Sequence, residues 1–218
     1  MATIFRTLSY KYQWLYNTVS RLAALGVGGE KRFRSLAWQN LTLQAGTKIL
    51  DMCCGAGQTT KYLVRYSEEV TGLDISPVAL ARAAKNVPQA KYVEGLAQKM
   101  PFANNSFDIV HTSVALHEMT LEELEAIMQE VYRILKPGGI FCLIDLHKPD
   151  NFLFFPSLAV FMWLFETETA WQLIDLNLVD MLKKVGFLLK DKKLYLGGSL
   201  QVIQVSKGCD SLNLTLSN

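Results

Sequence analysis

The chain has 218 residues, half of them hydrophobic, and a formal net charge of +2 at pH 7. This size suits one α/β domain with a filled core, and the small charge gives no footprint of a nucleic-acid-binding protein. Its four cysteines contain no C-x-x-C pair, so they indicate neither a disulfide framework nor a zinc site and predict a reduced, cytoplasmic compartment.

The first 46 residues show two helical patterns. Apolar and aromatic residues recur three and four positions apart between Ile4 and Ala23, which predicts an amphipathic helix. That helix either packs on the core or lies as a lid across a ligand mouth, and the two roles are compatible. Glycines break the pattern at 26, 28 and 29, and a second helical pattern runs from Phe33 to Leu41. We expect residues 1–46 to form a helical lid or cap.

Residues 47–60, TKILDMCCGAGQTT, predict a strand, a tight turn of small residues and a helix from about 58 to 66. Glycines in such a turn allow a close approach of backbone to ligand, and the following helix N-terminus offers unpaired N–H groups. Asp51 stands near the end of the strand, and Asp74 ends the next strand, 69–74. An acidic residue at the end of a second strand is placed to accept hydrogen bonds from ribose hydroxyls. The segment therefore predicts half of a nucleoside-binding α/β fold.

Strands and helices alternate further along the chain, which predicts a mostly parallel sheet with helices on both faces. Ser76-Pro77 and the pair Thr120 and Glu123 are N-terminal helix signals. The further elements are a helix from 76, strand 91–93, strand 107–114, a helix from 120 that stops at Lys136-Pro137-Gly138-Gly139, and strand 140–146.

The C-terminal part begins with an apolar segment. No charged residue lies between Phe152 and Phe165, but this run is shorter than the roughly 20 residues of a membrane-spanning helix and contains Pro156. A buried or interfacial position is the better interpretation. A helix ending at Gly186 precedes two runs, 187–196 and 199–205, that we expect to pair antiparallel at the sheet edge. The predicted core domain is 47–206, with an apolar substrate-side insertion at 151–170 and a flexible tail at 207–218.

The turn matches neither common phosphate-binding loop. It lacks the third glycine of G-x-G-x-x-G and the Lys-Ser/Thr of a Walker loop. Over about residues 47–145 the chain resembles the class I S-adenosylmethionine-dependent methyltransferases, because it contains segments similar to their motifs in the same order. These segments are ILDMCCGAG, VTGLDIS, GLAQKMPF, FDIVHTSVALHEM and VYRILKPGGIFCLID. Within that superfamily the chain resembles the ubiquinone/menaquinone C-methyltransferase branch in three segments, YQWLYNTVSRLAALGVGGEKRFR, CCGAG and DLHKP. The resemblance implies a Rossmann-like fold with a mostly parallel seven-stranded sheet, an antiparallel edge strand and an N-terminal helical lid.

The resemblance also implies a cofactor site for S-adenosylmethionine, which becomes S-adenosylhomocysteine, and no metal. The glycine turn and Asp51 would hold the methionine end, Asp74 the ribose, and Ile75 the adenine, with Thr112 and Ser113 near the transferring methyl. Leu96 stands where the family usually has an acidic residue, so the backbone of Ala97 and apolar walls would recognise the base. The implied cofactor-binding residues are Asp51, Met52, Cys53, Gly55, Gly57, Asp74, Ile75, Ala97, Gln98 and Thr112.

Several of these residues have simpler interpretations. The alternative interpretation of Asp51 is a turn cap and that of Asp74 is a helix-flanking or turn aspartate, although the GLDIS context favours ribose binding at Asp74. Cys53 and Cys54 are better explained as small packing residues than as nucleophiles, because no nearby motif supplies an activating base.

His117, just after the fourth strand, is the predicted catalytic base or substrate-orienting group; the alternatives are a capping or a buried, hydrogen-bonded histidine. Glu118 is a weaker candidate, His147 lies past the fifth strand and is another, and His111 fits the core better.

The predicted acceptor is an apolar, aromatic small molecule, with a prenylated quinol ring carbon as the specific hypothesis. Two alternatives stay open: a small-molecule O- or N-methyltransferase, and a cofactor-binding subunit without activity. The apolar segment adds peripheral contact with a membrane surface as a further expectation.

Overall fold

The computed structural model describes residues 24–149 and 168–209, together with Ala159 and Trp163. The predicted helix between Ile4 and Ala23, most of the apolar segment 152–165 and the tail from 210 lie outside the described residues. None of the helices in the described part is long and apolar enough to cross a membrane.

The described chain is built on a seven-stranded sheet in the order β3-β2-β1-β4-β5-β7-β6. The first five strands are parallel to one another, and β7 runs antiparallel to both β5 and β6. This confirms the expected mostly parallel sheet with an antiparallel pair at one edge. The strands are β1 Ile49–Met52, β2 Val70–Asp74, β3 Lys91–Glu94, β4 Phe107–Ser113, β5 Leu135–Leu146, β6 Phe187–Tyr195 and β7 Leu200–Lys207.

The helices begin and end largely where the sequence signals predict. The Ser76 side chain accepts a hydrogen bond from the Ala79 N–H, Thr120 and Glu123 form a capping box, and Gly186 ends its helix with a φ of 111°. The α-helices are α1 Glu30–Ser35, α2 Thr60–Leu63, α3 Pro77–Asn86, α4 Leu121–Ile134, α5 Glu168–Asp175 and α6 Leu178–Val185, and 3-10 helices span Leu36–Trp38, Leu116–Glu118 and Leu196–Gly198.

The helix after the glycine turn is shorter than expected. It spans only Thr60–Leu63, whereas the sequence predicted about 58 to 66. The Arg65 N–H donates to the Tyr62 carbonyl and the Tyr66 N–H to the Leu63 carbonyl, so the chain continues as tighter, three-residue turns.

Helices cover both faces of the sheet, as predicted. Alternate side chains of β1 divide between two apolar clusters, with Leu50 and Met52 on one face and Ile49 on the other. The first face carries α4, α5 and α6, and the second carries α1, the 3-10 helix Leu36–Trp38 and α2.

This topology decides where a ligand site lies. The carboxyl ends of the parallel strands β1, β2, β4 and β5 all lie along the same edge of the sheet, which runs across the strands. The strand order reverses between β1 and β4. A crevice outside the carboxyl ends of the strands forms at such a reversal. The segments that follow these strands therefore share one edge.

Candidate functional site

The turn between β1 and α2 has an unusual backbone. Cys53, Gly55 and Gly57 have φ angles of 58°, 54° and 82°, in the left-handed region. A Cβ atom on Gly57 would lie 3.3 Å from Val87 Cγ2 and 3.5 Å from Ala83, so the turn packs closely on α3. Cys53 adopts a conformation that costs free energy for a residue with a side chain, so the contacts around it must hold it in place.

Asp74 provides one of those contacts. Its Oδ2 accepts a hydrogen bond from the Gly55 N–H at 2.8 Å, and its Oδ1 accepts one from the Ser76 N–H at 2.9 Å. The structure thus brings together the glycine turn and the acidic end of β2, as the sequence predicted. A carboxylate has about four lone-pair positions, so Asp74 can still accept from two hydroxyls. The next residue, Ile75, is 63% exposed and offers an apolar surface beside the carboxylate.

Asp51, which the sequence predicts to hold the methionine end of the cofactor, is more deeply buried than Asp74. It is only 2% exposed, and both oxygens have partners inside the protein. Oδ2 accepts from the Thr60 hydroxyl at 2.6 Å, and Oδ1 lies 2.9 Å from His111 Nδ1. Asp51 therefore stabilises the turn, because its contacts join the strand before the turn to the helix after it.

The loop after β3 carries the residues predicted to border the base. The Gly95 N–H donates to the Asp74 carbonyl at 3.1 Å, which brings the start of this loop to the end of β2. Leu96 is 47% exposed and Ala97 is buried. The Gln98 side chain turns toward α4, where its amide donates to Glu123 Oε1 at 3.0 Å. The loop thus offers an apolar side chain and backbone groups beside Asp74, while Gln98 anchors it.

The end of β4 holds two hydroxyl groups without partners. Thr112 Oγ1 and Ser113 Oγ are both buried and make no hydrogen bond in the described structure. A buried polar atom without a partner costs about 1–3 kcal/mol. Both residues belong to the edge where β1 and β2 also end, so these hydroxyls fit a polar ligand that completes their hydrogen bonding.

His117 lies in the 3-10 helix Leu116–Glu118 and is 2% exposed. Its Nδ1 lies 2.7 Å from Asp145 Oδ1. Because a carboxylate only accepts hydrogen bonds, Nδ1 carries the proton and Nε2 has the lone pair. This tautomer is the one that a histidine acting as a base at Nε2 requires.

Asp145, near the end of β5, is the functional candidate that sequence reasoning missed. Besides His117 it accepts from the backbone N–H groups of Ala115, Leu116 and Leu146, at 3.1, 2.7 and 2.8 Å. These contacts fix both the carboxylate and the imidazole that it holds. The rule that singled out Asp51 and Asp74, an acidic residue near the end of a buried strand, would have found Asp145 as well.

Negative charge is concentrated around the turn. Burial, and after it the carboxylates of Asp74, Asp51, Glu118 and Asp145 in that order of effect, together raise the pKa of the Cys53 thiol to about 12. Burial also raises the pKa values of Cys54 and Cys142. These thiols stay protonated at neutral pH, which supports their interpretation as packing residues. The same carboxylates favour a cationic ligand beside the turn.

The remaining candidates lie elsewhere. His147 Nδ1 donates to the Gly198 carbonyl at 2.9 Å, and its Nε2 is 3.5 Å from Lys192 Nζ, so this imidazole belongs to the β6–β7 hairpin. His111 is buried in β4, as expected of a core residue. Among the described residues, no group of three or more His, Cys, Asp or Glu side chains is arranged to hold a metal ion.

Comparison with known proteins gives consistent matches. The Methyltransferase domain family matches residues 50–143. An uncharacterized methyltransferase of Synechocystis sp. is 61% identical over 204 residues, which cover 94% of this chain and 96% of that protein. The demethylmenaquinone methyltransferase of Chlorobaculum tepidum is 34% identical over 139 residues, which cover 62% of this chain and 57% of that protein. A solved methyltransferase from Methanosarcina mazei has the same fold, with a TM-score of 0.62, 21% identity, and coverage of 78% of this chain and 96% of that one.

Proposed function

Since the chain belongs to the class I S-adenosylmethionine-dependent methyltransferases, we propose that it methylates a ring carbon of an apolar, aromatic acceptor of the prenylated quinol type. The family resemblance and the enzyme class expected from the sequence are confirmed, which sets aside the alternative of a subunit without activity. What we propose is the class of methyl acceptor and the roles of individual residues.

The proposed cofactor site combines the predicted residues with what holds them. Asp74 accepts from the ribose hydroxyls, Ile75 and Leu96 pack against the adenine, and the backbone of Ala97 contacts the base edge. Gly55, Gly57, Met52 and Cys53 shape the turn around the methionine end. Thr112 Oγ1, which is buried and has no partner within the described part of the chain, hydrogen-bonds the ligand near the reacting group. Asp51 and Gln98 act through their contacts with Thr60, His111 and Glu123, which fix the turn and the loop.

The negative charge around the turn contributes more to binding of the cofactor than to the rate of methyl transfer. When bound, S-adenosylmethionine supplies an electrophilic methyl group and keeps the electron pair of the broken S–C bond. The carboxylates that surround Cys53 stabilise the sulfonium cation in the ground state. Because that positive charge disappears on transfer, the same carboxylates do not favour the transition state, so the rate must come from alignment and from activation of the acceptor.

His117 is the proposed activator. Its Nε2 takes the proton of a ring hydroxyl, and Asp145 holds the resulting imidazolium by its Nδ1–H. The phenolate would share its negative charge with the neighbouring ring carbon, which is the nucleophile that a bound methyl donor requires. A carbon–carbon bond would form as the S–C bond breaks, with its electron pair left on sulfur. The ring carbon would then lose its hydrogen as a proton to water, and the His117 imidazolium would return its proton to the ring oxygen.

The observation that carries this proposal is the buried His117–Asp145 pair beside the turn, together with the similarity to demethylmenaquinone methyltransferases. An ionisable base is needed for a hydroxyl-bearing ring and is of no use to an acceptor that is already a strong nucleophile. This chain spans only 57% of the Chlorobaculum tepidum protein, so that protein's substrate supports the acceptor class and no more.

A transfer assay tests the proposal. It combines the purified protein, methyl-labelled cofactor and a naphthoquinol that lacks the ring methyl and carries a short prenyl chain. We expect label on a ring carbon, identified by mass spectrometry, and loss of transfer when both hydroxyls are blocked as methyl ethers. Label on oxygen, or transfer only to an amine or phenol that carries no apolar chain, would instead assign an O- or N-methyltransferase.

A further inference from the structure

His111 belongs to a buried chain of side chains beneath the glycine turn. Its Nδ1 lies 2.9 Å from Asp51 Oδ1, and the other oxygen of Asp51 accepts from the Thr60 hydroxyl at 2.6 Å. The chain therefore links β4 to the strand before the turn and to the first residue of α2. Its three members are buried.

A role in core packing alone explains His111 poorly. Because Asp51 only accepts, Nδ1 carries the proton, and Nε2 is left as an acceptor with no partner in the described structure. Leaving such an atom buried is unfavourable, and an apolar side chain at this position would avoid it. The Trp38 and His111 rings meet nearly at a right angle with their centroids 5.0 Å apart, a packing contact that an apolar aromatic ring would make as well. What only the histidine supplies here is a fixed N–H for Asp51.

The turn needs such a constraint. Cys53, with a φ of 58°, holds a conformation unfavourable for a residue with a side chain, and Gly55 and Gly57 add conformational freedom in the part of the turn that follows it. Asp74 restrains the turn at Gly55, on the side of β2. Asp51 restrains the turn through its hydrogen bond with Thr60, which connects the strand before the turn to the helix after it. The orientation of Asp51 depends in turn on His111.

We propose that His111 is a positioning residue for the cofactor: it orients Asp51, and Asp51 holds the turn in the conformation that binds the methionine end. This inference depends on the proposed placement of the cofactor at the turn. It is independent of the acceptor, because cofactor affinity is measured without one.

Three substitutions separate the hydrogen bond from the packing. In His111→Asn, the side-chain amide places an N–H where Nδ1–H was; in His111→Gln the amide lies one bond farther out, and His111→Leu has none. We expect the Kd of the cofactor, from calorimetry well below each melting temperature, to rise about tenfold for Gln and Leu and less than about threefold for Asn.

Matched variants complete the design. Trp38→Phe keeps an aromatic ring beside His111 and removes an N–H that has no partner among the described residues, so the Kd of the cofactor should not change. Thr60→Val should weaken binding as His111→Gln does, and Thr60→Ser should restore it. Adding Thr60→Val to His111→Gln should weaken binding less than the two single effects combined, because both act through Asp51.

Unchanged cofactor affinity in His111→Gln, or equal weakening by Asn and Gln, would overturn the proposal. If the original protein failed to bind the cofactor at all, the placement of the cofactor would be at fault. A negative acceptor screen leaves this test intact.

Discussion

Asp74 at the end of β2 and Gly55 in the turn after β1 are joined by a hydrogen bond of 2.8 Å from the glycine N–H to the carboxylate. This contact connects two strand ends that neighbour each other in the sheet, since β1 and β2 pair in parallel. The carboxylate therefore supports the turn and also faces the edge where a nucleoside is proposed to lie. Both consequences of removing it can be measured.

Replacing Asp74 with Asn should raise the Kd of S-adenosylmethionine at least about tenfold, because the amide half donates and no longer accepts. Calorimetry measures this directly. Glu94→Gln is a matched control, since Glu94 is exposed and is the register partner of Asp74 on β3. Similar losses of affinity in both variants would point to overall charge and not to the Asp74 contacts.

The His117–Asp145 pair predicts a separation of kcat from cofactor affinity. His117→Gln should lower kcat about 10²–10⁴-fold, the usual contribution of a general base, with little change in cofactor Kd. Raising the pH toward about 10, where a phenol ionises unaided, should restore part of the rate in the variant. An absence of such recovery would argue that His117 orients the acceptor and does not take its proton.

Asp145→Asn tests the tautomer that the carboxylate imposes. Its side-chain NH₂ can donate to His117 Nδ1, which moves the proton to Nε2 and removes the basic lone pair from the reacting side. We expect kcat to fall about as far as in His117→Gln, and the double variant to be no worse than either single one. Additive losses would mean that the two residues act separately.

Gly57→Ala should destabilise the protein by about 1–3 kcal/mol, because the alanine would be held at a φ of 82° with its Cβ 3.3 Å from Val87 Cγ2. Gly46→Ala is the control, since its Cβ meets nothing within 4 Å. Urea unfolding of both variants measures the difference. Equal stability would show that the turn relaxes freely, contrary to the close packing seen on α3.

The raised thiol pKa values predict resistance to alkylation and sensitivity to base. Iodoacetamide at pH 8 should modify exposed Cys209 and leave Cys53, Cys54 and Cys142 intact, as read by mass spectrometry. These three thiols ionise more readily in the unfolded chain, so their contribution to stability is complete below about pH 8.5 and is lost as the pH rises toward 12. Rapid modification of Cys53, which is half-buried, at pH 8 would contradict its raised pKa.

Local sequence determined the elements and their order. The caps at Ser76, Thr120 and Gly186 lie where the sequence signals place them, because capping depends on residues three or four positions apart. The acidic end of β2 and the glycine turn also meet as expected, since parallel neighbouring strands bring their ends together.

Tertiary structure alone decided the partners of the side chains. Asp51 faces Thr60 and His111, and His117 meets Asp145 from 28 positions away, in contacts that no local pattern encodes. The physical reason is that each carboxylate takes the donors that neighbouring strands and loops bring to it once the sheet has formed. The sequence shows which residues approach the site, and only the register of β1, β4 and β5 determines which atoms face each other.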